Sequence, residues 1–341
     1  MAHLPKHILV IRLSAMGDVA MTIPVLRAFI EKYPNVKITV LTRSFFSPFF
    51  RDLNTVTVYP IDVKGKHKGI IGLYRLSKEL RKLRIDFVAD LHNVLRSTLL
   101  NIFLFGIKVV QVDKGRSEKK ALVAGSVFKQ LKTTHQRYAE VFEKLGFYLD
   151  LKNPVYPNKY SLSQSLISIL GEKSTNWIGI APFAKHESKM YPLELMKEVI
   201  KTLSTSYSIL LFGGGQKEVE VLKSIEKDNE SVTNLAGRLT LNEELDIISN
   251  LDVMLSMDSG NAHIAAIYGI PVVTIWGVTH PYAGFYPFNQ QSANSLLADR
   301  KKYPRIPTSI YGNKYPENYK DAAGSIHPRL VIEKIKFLIE V

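Results

Sequence analysis

Two doubly wound α/β domains are the fold class that this sequence predicts, and three observations point to it. Short β-branched and apolar runs alternate with longer amphipathic segments along most of the chain, the pattern of parallel βαβ units. The 341 residues, 46% of them hydrophobic, suit two cores better than one. Between 150 and 163 the alternation stops at "DLKNPVYPNKYSLS", which mixes two prolines with polar residues as a domain boundary does, and afterwards it resumes.

In the first domain, placed at 1–155, strands are expected at 8–13, 37–42, 57–61, 87–91 and 108–112. Helices are expected near 18–32, 70–83, 94–105, 119–131 and 135–147, the last ending at Gly146. In the second, placed at 165–325, strands are expected at 177–183, 208–214, 232–237, 252–257 and 271–277, with helices near 192–205, 216–227, 241–250 and 261–268. The Tyr-, Pro- and Lys-rich stretch from 284 to 325 is too polar and interrupted for a core element, and a long ordered loop is expected there. A last helix over 326–341 begins at Pro328 and carries Val331, Ile335 and Leu338 on one face, to brace the domains.

Lysine and arginine outnumber aspartate and glutamate 45 to 31, for a net charge of +14, which favours an anionic partner: nucleic acid, an acidic membrane surface or a phosphorylated substrate. The lysines are dispersed, and no element shows a basic face interleaved with aromatics, which speaks against nucleic acid. There are no cysteines, so disulfides and thiolate metal sites are excluded. The apolar run "ILVIRL" is short and interrupted by Arg12, no stretch reaches a membrane-spanning length, and a cytoplasmic protein is expected.

In open α/β sheets ligands bind outside the carboxyl ends of the strands, and four such loops have unusual chemistry. "LSAMGDVAMTIP" (13–24) places Asp18 behind Gly17 at a strand-to-helix turn, either as a helix cap or as a functional carboxylate. "APFAKHESKMYPLE" (181–194) crowds Lys185, His186 and Lys189 before a helix, against its dipole unless an anion sits between them; solvated surface lysines are the plain alternative. "LLFGGGQKEVE" (210–220) resembles a phosphate cradle without the spacing of GxGxxG or Walker A, and its Glu218 either accepts from ribose hydroxyls or complements the dipole. "SMDSGNAHIAAIYGIPVVTIWGVTHP" (256–281) is the most informative: Ser259 and Gly260 let a phosphate approach the backbone of a short helix. Asp258 would repel that phosphate and fits a sugar hydroxyl or the loop's own N–H groups, while His263 is either a packing residue or a ligand.

Taken together, "ILVIRLSAMGDVAMTIPVLRAF", "KHESKMYP" and "DSGNAHIAAIYGIPVVTIWGVTHP" resemble the lipopolysaccharide heptosyltransferases of glycosyltransferase family 9. The resemblance implies a GT-B fold: an acceptor domain, a nucleotide-sugar domain and a cleft between them. It implies inverting transfer of a heptose from ADP-heptose to an acidic lipopolysaccharide core, with no cofactor and no required metal. It implies Asp18 as general base, with Lys189 on the donor phosphates. Asp258 then meets the donor sugar with Ser259 and Gly260 beside the diphosphate, and Glu218 is the nearest match to a ribose ligand; Lys185, Asn261 and His263 are the further donor-side candidates of these loops. His92 and Arg96 of "DLHNVLRS" fall where the family carries acceptor-side residues. The partners implied are a nucleotide sugar and an anionic glycolipid, the latter at the inner face of the cytoplasmic membrane. One departure is the absence of the cysteines that family members often carry around "KKYPRIPTSIYGNK" (301–314). Competing readings are transfer of another sugar, a nucleotide-sugar epimerase, and a non-catalytic peripheral binding protein.

Overall fold

The computed structural model describes residues 6–340 and contains two parallel sheets, each in its own compact unit. One unit runs up to Gly115 and takes in Thr133–Val155; the other comprises Arg116–Lys132 and the chain from Tyr156 onward. Residues 116–132 thus group with the second unit, although the sequence places them in the first domain. Among the described residues no helix is long and apolar enough to cross a membrane.

The first unit is built from β1 (His7–Ile11), α1 (Met16–Ala20), α2 (Thr22–Lys32), β2 (Lys37–Thr42), β3 (Val56–Pro60), α3 (Gly69–Arg81), β4 (Phe87–Asp90), α4 (Leu95–Phe103) and β5 (Lys108–Gln111). α5 (Arg116–Val123) belongs to the second unit, and α6 (Thr134–Lys144) returns to the first. Its strands lie in the order β3-β2-β1-β4-β5, all parallel. Every β1 residue is buried, which is why Ile8 to Ile11 read as a continuous apolar run. Leu9, Ile11, Leu73, Leu76, Leu80 and Val88 pack one face, and Phe29 packs on Phe142 and Phe147 in tilted contacts with ring centroids 5.0 and 5.1 Å away.

Two helix expectations change here, and one turn is added. The helix expected over 18–32 starts at Met16 and is divided at Met21; Pro24 has no N–H to continue the ladder toward Ala20. The one expected at 119–131 ends at Val123, just before Gly125 turns left-handed at φ +74°. A 3-10 turn at Ser44–Phe50, unexpected from sequence, buries Phe46, Phe49 and Phe50.

The second unit adds α7 (Gln164–Leu170), β6 (Trp177–Ala181), α8 (Leu193–Leu203), β7 (Ser208–Leu211), α9 (Gln216–Lys227), β8 (Val232–Asn234), α10 (Leu241–Ile248), β9 (Val253–Met257), α11 (Gly260–Ala266), β10 (Val272–Trp276), β11 (Ser295–Leu297) and α12 (Pro328–Glu340). The strand order is β11-β10-β9-β6-β7-β8, again parallel. α7 had no counterpart in the sequence reading; Ser163 caps it by accepting from the Leu166 N–H at 3.3 Å.

The segment at 284–325, expected as a loop, instead contributes edge strand β11 and its own small core of Ala298, Ile306, Tyr319 and Ala322 with Val278. In α12, Val331 and Ile335 are fully buried and Leu338 packs beside them in this unit's core; Val341, expected at its end, lies outside the described residues.

In both sheets the strand order reverses next to the unit's first strand, between β1 and β4 and between β6 and β9. The crevices at such switch points are where open α/β sheets bind ligands.

Candidate active site

At the first switch point the strand β1 runs out into Arg12, whose guanidinium is buried. Its Nη1 donates to the Leu91 carbonyl at 2.7 Å, and its Nη2 pairs with Asp18 Oδ2 at 2.5 Å. Burial opposes that charge, but Tyr138, Asp18 and Asp90 together hold the arginine's pKa above its ordinary value. Asp18 is the third residue of α1, not its cap. Ala15 precedes the helix with no side-chain cap, and Asp18 Oδ2 accepts from the Ala15 N–H at 3.2 Å, the return half of a capping box. Both contacts use Oδ2, leave Oδ1 outside them, and keep the side chain 27% exposed.

The other bank of this crevice is the end of β4. Asp90 is fully buried and accepts four hydrogen bonds: from the backbone N–H groups of His92 and Asn93 and from the side-chain amides of Asn101 and Gln111, at 2.8–3.0 Å. That satisfaction lets a carboxylate stand in the core and shapes the loop that carries His92. His92 is buried, and its Nδ1 accepts from the Leu13 N–H at 2.9 Å. Burial, followed by the Arg12 charge, pushes its pKa down to about 4, so at neutral pH the ring is uncharged with its proton on Nε2. Arg96, the other acceptor-side candidate, is exposed on α4. His92 is therefore tied to the same loop as Arg12 and Asp18, whereas Arg96 is not drawn into their hydrogen-bond network.

At the second switch point β6 leads into the loop with Lys185 and Lys189, and β9 into Asp258. Lys189 Nζ pairs with Asp258 Oδ2 at 2.8 Å, side chains 14% and 8% exposed, and Thr279 donates to the same oxygen at 2.9 Å. The anion expected beside the lysines is, in this structure, the Asp258 carboxylate. Only Lys189 is drawn in; Lys185 is exposed, and His186 has its pKa lowered by burial and by both lysines.

Two glycines fix the Lys189 turn. A β-carbon at Gly277 would fall 2.3 Å from the Ser188 carbonyl oxygen, and one at Gly312 would fall 2.5 Å from Lys189 Cγ. Ser188 Oγ also donates to the Gly312 carbonyl at 2.5 Å, and Gly312 sits at φ +78°. The lysine stem thus lies over Gly312, which comes from the segment read as a loop.

Beyond Asp258, Ser259 precedes α11 and Gly260 begins it, one residue earlier than expected, with Asn261 and His263 buried. Ser259 Oγ is within hydrogen-bond distance of Ser256 Oγ, 3.0 Å. Glu218 stands in the first turn of α9 and accepts from the Gly214 N–H at 2.8 Å, so it closes the glycine loop as well as complementing the helix dipole.

Sequence reasoning passed over Arg12, Asp90, Thr279, Gly277 and Gly312. The one visible signal was Arg12, a charge interrupting an otherwise apolar strand; the others acquire meaning only through pairings distant in sequence.

Residues 73–313 match Glycosyltransferase family 9 (heptosyltransferase). The chain is 24% identical over 286 residues to the lipopolysaccharide core heptosyltransferase of Haemophilus influenzae, covering 81% of this chain and 80% of that protein. Its fold matches the family 9 glycosyl transferase of Veillonella parvula with a TM-score of 0.76 at 20% identity, over 98% and 97% of the two chains. It also matches the ADP-heptose lps heptosyltransferase II of E. coli with a TM-score of 0.69 at 21% identity, over 98% of each chain. The two Rossmann-like parallel sheets are accordingly a GT-B fold, and the chain belongs to glycosyltransferase family 9.

Proposed function

We propose that this glycosyltransferase moves a heptose from ADP-heptose to an acidic lipopolysaccharide core acceptor in one inverting displacement. The observation that carries the reading is the state of Asp18: a carboxylate anchored through one oxygen by a buried arginine, with the other oxygen outside both contacts.

In this reaction the acceptor hydroxyl forms a bond to the anomeric carbon as the bond to the diphosphate oxygen breaks. The hydroxyl proton passes to Asp18 and ADP departs. Charge developing on the diphosphate calls for a cation and N–H donors; Lys189 and the backbone around Ser259 and Gly260 supply them. When the diphosphate takes up Lys189, Asp258 retains Thr279 and turns its freed capacity to a hydroxyl of the donor sugar. Glu218 Oε1 remains for the ribose while Oε2 holds Gly214. On the acceptor side the Nε2–H of His92 donates to an anionic sugar, and Arg96 meets further acidic groups. The +14 net charge favours approach to an anionic glycolipid surface at the inner membrane.

The test is acceptor-dependent ADP release with ADP-heptose set against UDP- and GDP-sugars, with the product's anomeric configuration read by NMR. Preference for ADP-heptose with inversion is expected. Preference for another nucleotide, or conversion of the sugar nucleotide without acceptor as an epimerase would give, overturns the reading.

A further inference from the structure

A second cationic site lies in the second unit and shares no residue with the Lys189–Asp258 pair. The end of α5 and the segment after β11 enclose a cavity of about 670 Å³, within the range of small-molecule sites. Its lining includes Arg300, Arg305 and Lys314 with Phe128 and Tyr315, and no carboxylate. None of the three cations is ion-paired among the described residues.

The site is built rather than incidental. The Arg300 guanidinium stacks over the Phe128 ring at 3.6 Å, and its Nε donates to the Ile306 carbonyl at 3.0 Å, so two contacts orient this long side chain. Phe128 in turn packs on His280 and Tyr282, with centroids 5.0 and 4.9 Å away. His280 is kept neutral, its pKa pushed down to about 4 by burial and by Arg300, so the cavity's charge comes from the arginines and the lysine. Below lies the apolar cluster of Val278, Ala298, Ile306 and Tyr319, and the Tyr319 hydroxyl accepts from the Arg305 N–H at 3.4 Å. Thr308 Oγ1 donates to the Lys314 carbonyl at 2.8 Å and closes the rim.

Two arginines and a lysine without a counter-charge match a dianion carrying several acceptor oxygens, and arginine's planar fork suits phosphate in particular. Phe128 and Tyr315, partly open to solvent beside the three cations, suit a compact ligand rather than an extended polyanion. We propose that this cavity binds a phosphate monoester, carried either on a soluble sugar phosphate or on a lipid headgroup. The inference does not depend on the transferase reading.

The experiment uses the full chain with saturating ADP, so that any nucleotide site is filled. One arm titrates glucose 6-phosphate calorimetrically; the other measures co-sedimentation with phosphatidylcholine vesicles containing phosphatidic acid. Arg300→Gln/Arg305→Gln is compared with Lys223→Gln/Lys227→Gln, a charge-matched change on exposed positions of α9. Arg305→Gln alone, at an exposed side chain, guards against misfolding of the double variant. Saturable binding in the first arm assigns a sugar phosphate, in the second a lipid headgroup, and in both the phosphate group itself. In each case the arginine pair should weaken it about tenfold or more, as expected for charged hydrogen bonds, and the lysine pair should not. No saturable binding in either arm, or equal losses in the two double variants, overturns the proposal.

Discussion

Each unit places one carboxylate–cation pair at its switch point, and the two pairs are built differently. In the first, the cation is the fixed member: Arg12 is buried, bonded to the Leu91 carbonyl, and holds Asp18 by a single oxygen. In the second, the carboxylate is the fixed member: Asp258 is the less exposed partner and keeps Thr279, while Lys189 approaches on a flexible stem over Gly312. The first arrangement presents an oriented carboxylate, and the second a lysine whose counter-ion a diphosphate can replace. Similar ion pairs therefore differ in what they offer a substrate according to which partner the fold immobilises.

The largest effect that would break this comparison concerns Asp18. Asp18→Asn keeps the shape and the bond from Ala15 but cannot take a proton, and turnover should fall about 10²- to 10⁴-fold. ADP release with acceptor present measures it, and unchanged turnover removes Asp18 from the chemistry. Next in size, Lys189→Met should weaken donor binding about 10- to 100-fold through loss of a charged hydrogen bond. It also strands Asp258, so melting should shift downward, with partial recovery in Lys189→Met/Asp258→Asn. A melting temperature that the second substitution lowers further would show that the pair is not a unit.

Gly312→Ala sharpens the claim about the lysine's seat. Its β-carbon meets the Lys189 stem, and its backbone sits in the left-handed region, a strain of about 1–3 kcal/mol. The KM for donor should rise several-fold with kcat less affected; a lowered kcat at constant KM argues against a seating role.

A pH dependence of stability, rather than of activity, is shared by the units. His92 and His280 titrate at about 4 in the folded chain against an ordinary 6.5, both chiefly from burial. The unfolded chain then binds more protons between these values. The stability contribution is complete above about pH 6.5 and is lost as pH falls toward 4, about 2 kcal/mol for each ring by pH 5. Melting temperatures at pH 7 and pH 5 should show the drop, and His92→Asn should reduce it; a flat profile contradicts the neutral-imidazole assignment.

The strands were legible because buried parallel strands read as apolar runs, as "ILVI" does in β1. α9 was legible from its glycine entry and amphipathic spacing. The region from 284 to 325 was not. Its core residues Ala298, Ile306, Tyr319 and Ala322 are irregularly spaced among Tyr, Pro and Lys and carry no period. In the site, Asp18, Lys189 and Asp258 stood out by local chemistry, but their partners did not. Lys189 reaches Asp258 because β6 and β9 are neighbours, and Arg12 reaches the Leu91 carbonyl because β1 and β4 are. Such adjacency is a property of sheet order, which local sequence patterns do not encode.

The division of labour between the two pairs is tested most directly by calorimetric titration of ADP into the wild-type protein, Asp18→Asn and Lys189→Met. ADP affinity in Asp18→Asn should match wild type, while in Lys189→Met it should be at least about tenfold weaker. Weakened ADP binding in Asp18→Asn together with unaltered binding in Lys189→Met would contradict the account.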